Sequence, residues 1–192
     1  MIHEIAHGAM AYYLGDPTAK LAGRLTLNPI KHLDPFGSVI LPLILIIIAR
    51  LAGGGIIFGW AKPVPVNPLN FRDKKYGDAK VSIAGPGANL GLALVFGLSL
   101  RFFSFPSQMA ALLGYIVFIN ILLAVFNLLP IPPLDGSHIL FTFLPSSFEK
   151  FRIFLQQYGL FLLLFFIFFL LPYLFPLVAG IYALIVGSPL SL

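Results

Sequence analysis

The chain has 192 residues, of which 59% are apolar and 10% charged, with a formal net charge of +5 and no cysteine. Globular proteins usually carry about 25% charged residues, so there is too little charge here to cover a soluble surface, and the composition implies an integral membrane protein. Disulfides and thiolate metal sites are excluded, which leaves His, Asp and Glu as metal ligands. The basic residues lie in short loops between apolar runs, as membrane orientation requires, and do not point to nucleic acid.

The first segment, His3 to Leu14, is apolar apart from His3, Glu4 and His7, which form the pattern H-E-x-x-H. It is too short to cross a hydrocarbon core of about 30 Å at about 1.5 Å per residue. Nothing basic precedes a hydrophobic core, so no cleavable signal peptide is expected. Residues 15–35 carry "LTLNPIKHLDPFGS", whose prolines and small polar residues break helices. Phe36 to Leu51 is a first, short membrane span. Residues 54–80 include "FGWAKPVPVNPLNF"; alternating Pro and Val excludes helix and suits an extended edge strand or hairpin.

Val81 to Phe103 and Met109 to Leu129 are full-length spans, joined by a tight turn at 104–107. Residues 130–150 begin "PIPPLDG". Phe151 to Val186 is nearly unbroken apolar sequence, which Pro172 and Pro176 are expected to divide into two spans or a helical hairpin. The fold expected is an all-α, polytopic transmembrane helical bundle of about 5–6 membrane segments, with a short re-entrant strand or hairpin at the Pro-Val stretch. No internal repeat or linker argues for a second domain, so residues 1–192 read as a single domain.

On a helix, residues four apart are separated by about 40° around the axis and about 6 Å along it. His3 and His7 therefore project from one face and can share a metal ion. Glu4 lies beside them, placed to reach water without being a ligand. Zinc at such a site brings the pKa of its water toward about 7, and a nearby carboxylate can take the proton, which is the chemistry of peptide hydrolysis. In a soluble protein two such histidines could be ordinary surface residues. In apolar surroundings, ionisable groups are costly and generally functional.

A catalytic zinc takes a third protein ligand and keeps one open position. Asp73 and Asp78 lie among Arg72, Lys74, Lys75 and Lys80, and Glu149 beside Lys150 and Arg152, which suits solvated ion pairs. Asp16 precedes a proline and reads as a turn residue. That leaves "HLDPFG", with His32 and Asp34, and "NLLPIPPLDGSHIL". Asp135 is the better choice: it follows a long apolar run and three prolines, where broken helix can line a buried cavity. It also suits a helix N-cap, a role compatible with ligation. His138 reads as a loop residue or as a donor to a ligand.

Gly85, Gly87 and Gly91, with Ala84 and Ala88, are small residues that let transmembrane helices approach. Their spacing lacks the Lys-Ser/Thr of a phosphate loop. Asn89 is placed to hydrogen-bond either a substrate backbone or a neighbouring helix. The Pro-Val stretch offers a strand edge to an unwound substrate, or is an irregular connection. The Phe-rich run after residue 159 carries no chemistry.

H-E-x-x-H in an apolar helix, followed by a proline-rich L-D-G, resembles the site-2 protease family of intramembrane zinc metalloproteases. "LNPIKHLDPFGS", "GWAKPVPVNP", "AGPGANL" and "NLLPIPPLDG" are similar to the small bacterial and archaeal members without a PDZ domain, and the likeness runs from Ile2 to about Leu144. It implies Zn²⁺ held by His3, His7 and Asp135, with Glu4 as general base. It also implies substrates that are membrane-embedded or membrane-anchored proteins, and a position near the active site for Asn127. Members usually carry an apolar stretch ahead of H-E-x-x-H, so with only Met1 and Ile2 before His3 the N-terminal helix is expected to be incomplete.

If the spans alternate, Arg50, Lys62, Arg72, Lys74, Lys75, Lys80, Lys150 and Arg152 fall on one side of the membrane and Lys20, Arg24, Lys31 and Arg101 on the other. That excess makes the first side cytoplasmic. The expectation is a multi-pass protein of a prokaryotic cell membrane whose active site is reached from the cytoplasm. The competing class is a non-proteolytic membrane protein, either a metal transporter or an inactive binding scaffold. A transporter wants ligands along a path, whereas this chain has one cluster, and a dead scaffold need not keep Glu4.

Overall fold

The computed structural model describes residues 1–51, 53–54, 59 and 62–189. These form two compact units, Met1–Arg72 and Asp73–Leu192. The secondary structure among the described residues is helical, with no strand.

In the first unit, α1 (Ile2–Tyr13) carries the H-E-x-x-H pattern, and α2 (Thr18–Leu21) packs against it. Gly8 makes the close approach possible. A Cβ there would sit 2.8 Å from Leu25, 2.9 Å from Val64 and 3.1 Å from Ala19. A turn of 3₁₀-helix, Pro29–His32, is capped by Asn28, whose side chain accepts from the Ile30 N–H at 3.0 Å. A π-helical stretch, Pro35–Ile40, is capped by Asp34 and runs directly into α3 (Leu41–Leu51).

The expected strand or hairpin at the Pro-Val stretch is not formed by residues 62–67 (Trp60 and Ala61 lie outside the described residues). The physical reason lies in where the backbone donors go. Pro63 and Pro65 have none. The Val64 N–H is given to the Glu4 carboxylate at 3.1 Å, the Asn67 N–H to Asp16 at 2.7 Å, and the Lys62 N–H to the His32 carbonyl at 3.0 Å. Three of the four backbone donors of residues 62–67 are thus committed outside any ladder.

In the second unit, α4 (Gly77–Phe102) and α5 (Ser107–Asn127) pack along their length, and α8 (Leu171–Val186) packs on both. Their shared core is Ala93, Val117, Phe118, Ile121, Val178, Tyr182 and Val186. The buried face of α4 runs through Gly85, Asn89, Ala93 and Gly97, small residues four apart. The tight approach is at Gly97, where a Cβ would stand 2.5 Å from Ile185 and 3.5 Å from Val117. Gly87 and Gly91, expected to share this packing role, lie instead on the exposed face with nothing within 4 Å of a Cβ. Two residues along a helix is a rotation of about 200°, so positions 87 and 91 point away from the seam that 85, 89, 93 and 97 form.

Among the described residues, three helices are long and apolar enough to cross a membrane: Gly77–Phe102, Ser107–Asn127 and Ser146–Val186; Pro35–Leu51 is a shorter apolar one. The chain is an integral membrane protein with an all-helical fold. The last span differs from expectation. Residues Ser146–Val186 form one helix of 41 residues, not two spans or a hairpin. Its parts are a 3₁₀ turn (Ser146–Phe148), α7 (Glu149–Phe165), a π-helical stretch (Phe166–Leu170) and α8. A proline inside an α-helix clashes with the carbonyl four residues back. For Pro172 that carbonyl belongs to Phe168, within the wider π turn, so the helix absorbs the proline without reversing.

Candidate metal centre

Because His3 and His7 are four apart on a regular helix, their rings converge. The two Nε2 atoms are 3.0 Å apart, and the rings meet edge to face with centroids 4.5 Å apart. Two nitrogens bound to one tetrahedral zinc at about 2.0–2.1 Å would be separated by about 3.3 Å, so this donor pair fits a zinc ion with little adjustment. Glu4 is half-buried on the same helix. Its Oε2 accepts the Val64 N–H, which ties the carboxylate to the Pro-Val segment.

Asp135 belongs to the second unit, where it is the first residue of α6 (Asp135–Phe143). It is half-buried, and its Oδ2 is shut off from solvent. The loop before it, Leu128–Leu134, folds back on the start of α6. A Cβ at Gly136 would run into the backbone of Leu128 and Leu129, so the glycine of L-D-G is needed for close approach. Ser137 secures the same turn, its hydroxyl donating to the Leu134 carbonyl at 2.7 Å. These contacts set the turn on which Asp135 stands.

The other candidates are occupied elsewhere. His32 is buried with its Nε2 2.9 Å from the Thr26 carbonyl, and Asp34 accepts the Gly37 N–H at 2.7 Å as a helix cap. His138 is not a loop residue. It lies within α6, with Nδ1 3.0 Å from Asp78 Oδ2 on α4. Asp78 is therefore partnered by a histidine sixty residues away, because α6 packs on α4. Asp73 pairs with Lys80 at 2.7 Å as expected. Asn127 turns its side-chain N–H back to the Leu123 carbonyl at 2.9 Å near the end of α5, and Asn89 is buried on α4.

Asp16 is the largest surprise. The expected turn residue is fully buried and accepts hydrogen bonds from the Thr18 N–H and hydroxyl, the Asn70 amide and the Asn67 N–H. Burial raises its pKa, but the donors, Asn67 first, outweigh it and hold the group below the usual carboxylate value. The sequence signal was the local "DPT" turn; the partners at 67 and 70 lie some fifty residues on and left no local trace.

Residues 104–168, which hold α5, the proline-rich loop, α6 and α7, match the model of peptidase family M50. The chain belongs to that family, the site-2 protease family. It is 42% identical over 153 residues to "Putative zinc metalloprotease YwhC" of Bacillus subtilis, a match that covers 75% of this chain and 64% of the relative. It is 39% identical over 139 residues to "Putative zinc metalloprotease Rip2" of Mycolicibacterium smegmatis, covering 70% of this chain and 50% of that one. A third relative, "Putative zinc metalloprotease MJ0611" of Methanocaldococcus jannaschii, is 42% identical over 64 residues, 33% of each chain. The M50 chain thus spans between half and about two thirds of the length of the first two relatives. No solved structure matches it.

Proposed function

We propose that this M50 chain forms a single membrane-embedded domain that hydrolyses peptide bonds in or near the transmembrane segments of membrane-protein substrates, with zinc as its cofactor. The observation that carries the reading is the convergence of His3 Nε2 and His7 Nε2 to 3.0 Å on a helix that also presents Glu4. His3 and His7 would hold the ion, with Asp135 as third ligand. Bound zinc supplies Lewis-acid polarisation of the scissile carbonyl and acidifies water.

Glu4 does the proton work. Its Oε2 is held by the Val64 N–H, and Oε1 takes the proton of the attacking water and passes it to the leaving nitrogen. Asn89 and Asn127 are proposed contacts for the substrate backbone. A helical substrate has its carbonyls bonded internally, so it must unwind before attack, which favours segments with helix-weakening residues. The cluster of basic residues at 50–80 and 150–152 supports water access from the cytoplasmic side of a prokaryotic membrane.

Metal analysis of purified variants, beside cleavage of a model transmembrane substrate, separates the roles. Glu4→Gln should keep zinc and lose about 10²–10⁴-fold in turnover. Asp135→Ala should lose zinc itself, since only two ligands remain. Full zinc in Asp135→Ala together with loss of zinc in Glu4→Gln would invert the assignment.

A further inference from the structure

A turn of the Asp-Pro-Thr kind needs one side-chain oxygen. Asp16 uses both of its own. Oδ1 takes the Thr18 N–H at 3.1 Å, the Thr18 hydroxyl, and the Asn70 amide at 2.8 Å. Oδ2 takes the backbone N–H of Asn67 at 2.7 Å. The second oxygen is therefore committed to the far end of the Pro-Val segment.

Three residues before Asn67, that segment donates the Val64 N–H to Glu4. Prolines stiffen this stretch: Pro65, between Val64 and Asn67, fixes its own φ and restricts Val64, and Pro63 fixes the backbone just ahead of Val64. Val64 is also seated against α1, its Cγ1 2.9 Å from where a Cβ of Gly8 would stand. The segment is thus held at one end by a buried carboxylate and at the other by Glu4, with little freedom between.

We infer that Asp16 is a positioning residue for Glu4: through Asn67 it sets the place of Val64, and the Val64 N–H sets the orientation of the Glu4 carboxylate. The inference rests on the reading of Glu4 as the general base. Its consequence is kinetic, because a base displaced by about an ångström loses up to about 100-fold in rate while the groups that bind substrate are untouched.

Asp16→Asn is the direct probe. It preserves size and can keep the Oδ1 contacts, but it puts an NH₂ against the Asn67 N–H. The expected result is a fall in kcat of about 10–100-fold with KM and zinc content near wild type, and faster hydrogen exchange at the Val64 amide. Thr18→Val removes one Oδ1 donor and leaves the Asn67 bond, so it should keep kcat and Val64 protection. Equal losses in both variants, or loss of zinc together with kcat in Asp16→Asn, would reduce Asp16 to a purely structural role and overturn the inference. Should Asp16→Asn not fold, wild-type exchange decides. Val64 and Asn67 should open together, and an unprotected Val64 amide beside a protected Asn67 would overturn the link. An active Glu4→Gln would sink the base assignment instead; an inactive Glu4→Gln beside an Asp16→Asn of full kcat sinks only the positioning role.

Discussion

Gly136 lies beneath the carbonyl of Leu128, so closely that a Cβ at 136 would overlap it. The contact seats the proline-rich loop on the first turn of α6, where Asp135 sits. Gly136→Ala should push the two apart. The overpacking costs about 1–3 kcal/mol and should appear as a lower melting temperature in detergent together with reduced zinc content. A variant with unchanged melting and zinc would show that the loop yields without moving Asp135.

The exposed and buried glycines of α4 should differ sharply. A Cβ at Gly97 meets Ile185 at 2.5 Å and Val117 at 3.5 Å, while one at Gly87 meets nothing within 4 Å. We expect Gly97→Leu to destabilise the α4–α5–α8 core by at least about 1–3 kcal/mol and Gly87→Leu to melt like wild type. Equal melting temperatures for the two would contradict the seam described here.

Acid should weaken the first unit through Asp16. Its pKa is held below the ordinary 3.8 in the folded chain. A carboxyl depressed by folding contributes stability that is present above its unfolded pKa and is lost as pH falls through the folded one. Melting curves between about pH 6 and pH 2 should therefore drop below about pH 4 in the wild type. Asp16→Asn, less stable at neutral pH, should show a shallower acid limb. Parallel limbs would assign the acid sensitivity to other groups.

Orientation can be read chemically. Lys75 lies near the start of α4 among Lys74, Lys80 and Arg72, the basic group taken as cytoplasmic. A cysteine at position 75 of this cysteine-free chain should react with a membrane-impermeant maleimide only after cells are opened. Labelling of intact cells would reverse the topology and put the metal site on the opposite side.

The sequence by itself determined the membrane class, the spans of α4 and α5, and the pairing of His3 with His7. Each rests on local periodicity: long apolar runs require helix in a bilayer, and a four-residue spacing places two side chains on one helix face. Asp135 was singled out by its prolines and glycine, and the close approach at Gly136 explains why that glycine is there. Other features were decided only by tertiary structure, because their partners are distant along the chain. The Pro-Val segment forms no strand, since Glu4 and Asp16 take its donors from sixty and fifty-one residues away. Pro172 leaves the last helix unbroken because a π turn accommodates it. His138 is set by Asp78, sixty residues before it. Local pattern specifies which backbone groups need partners. Only packing decides which distant side chains meet that need.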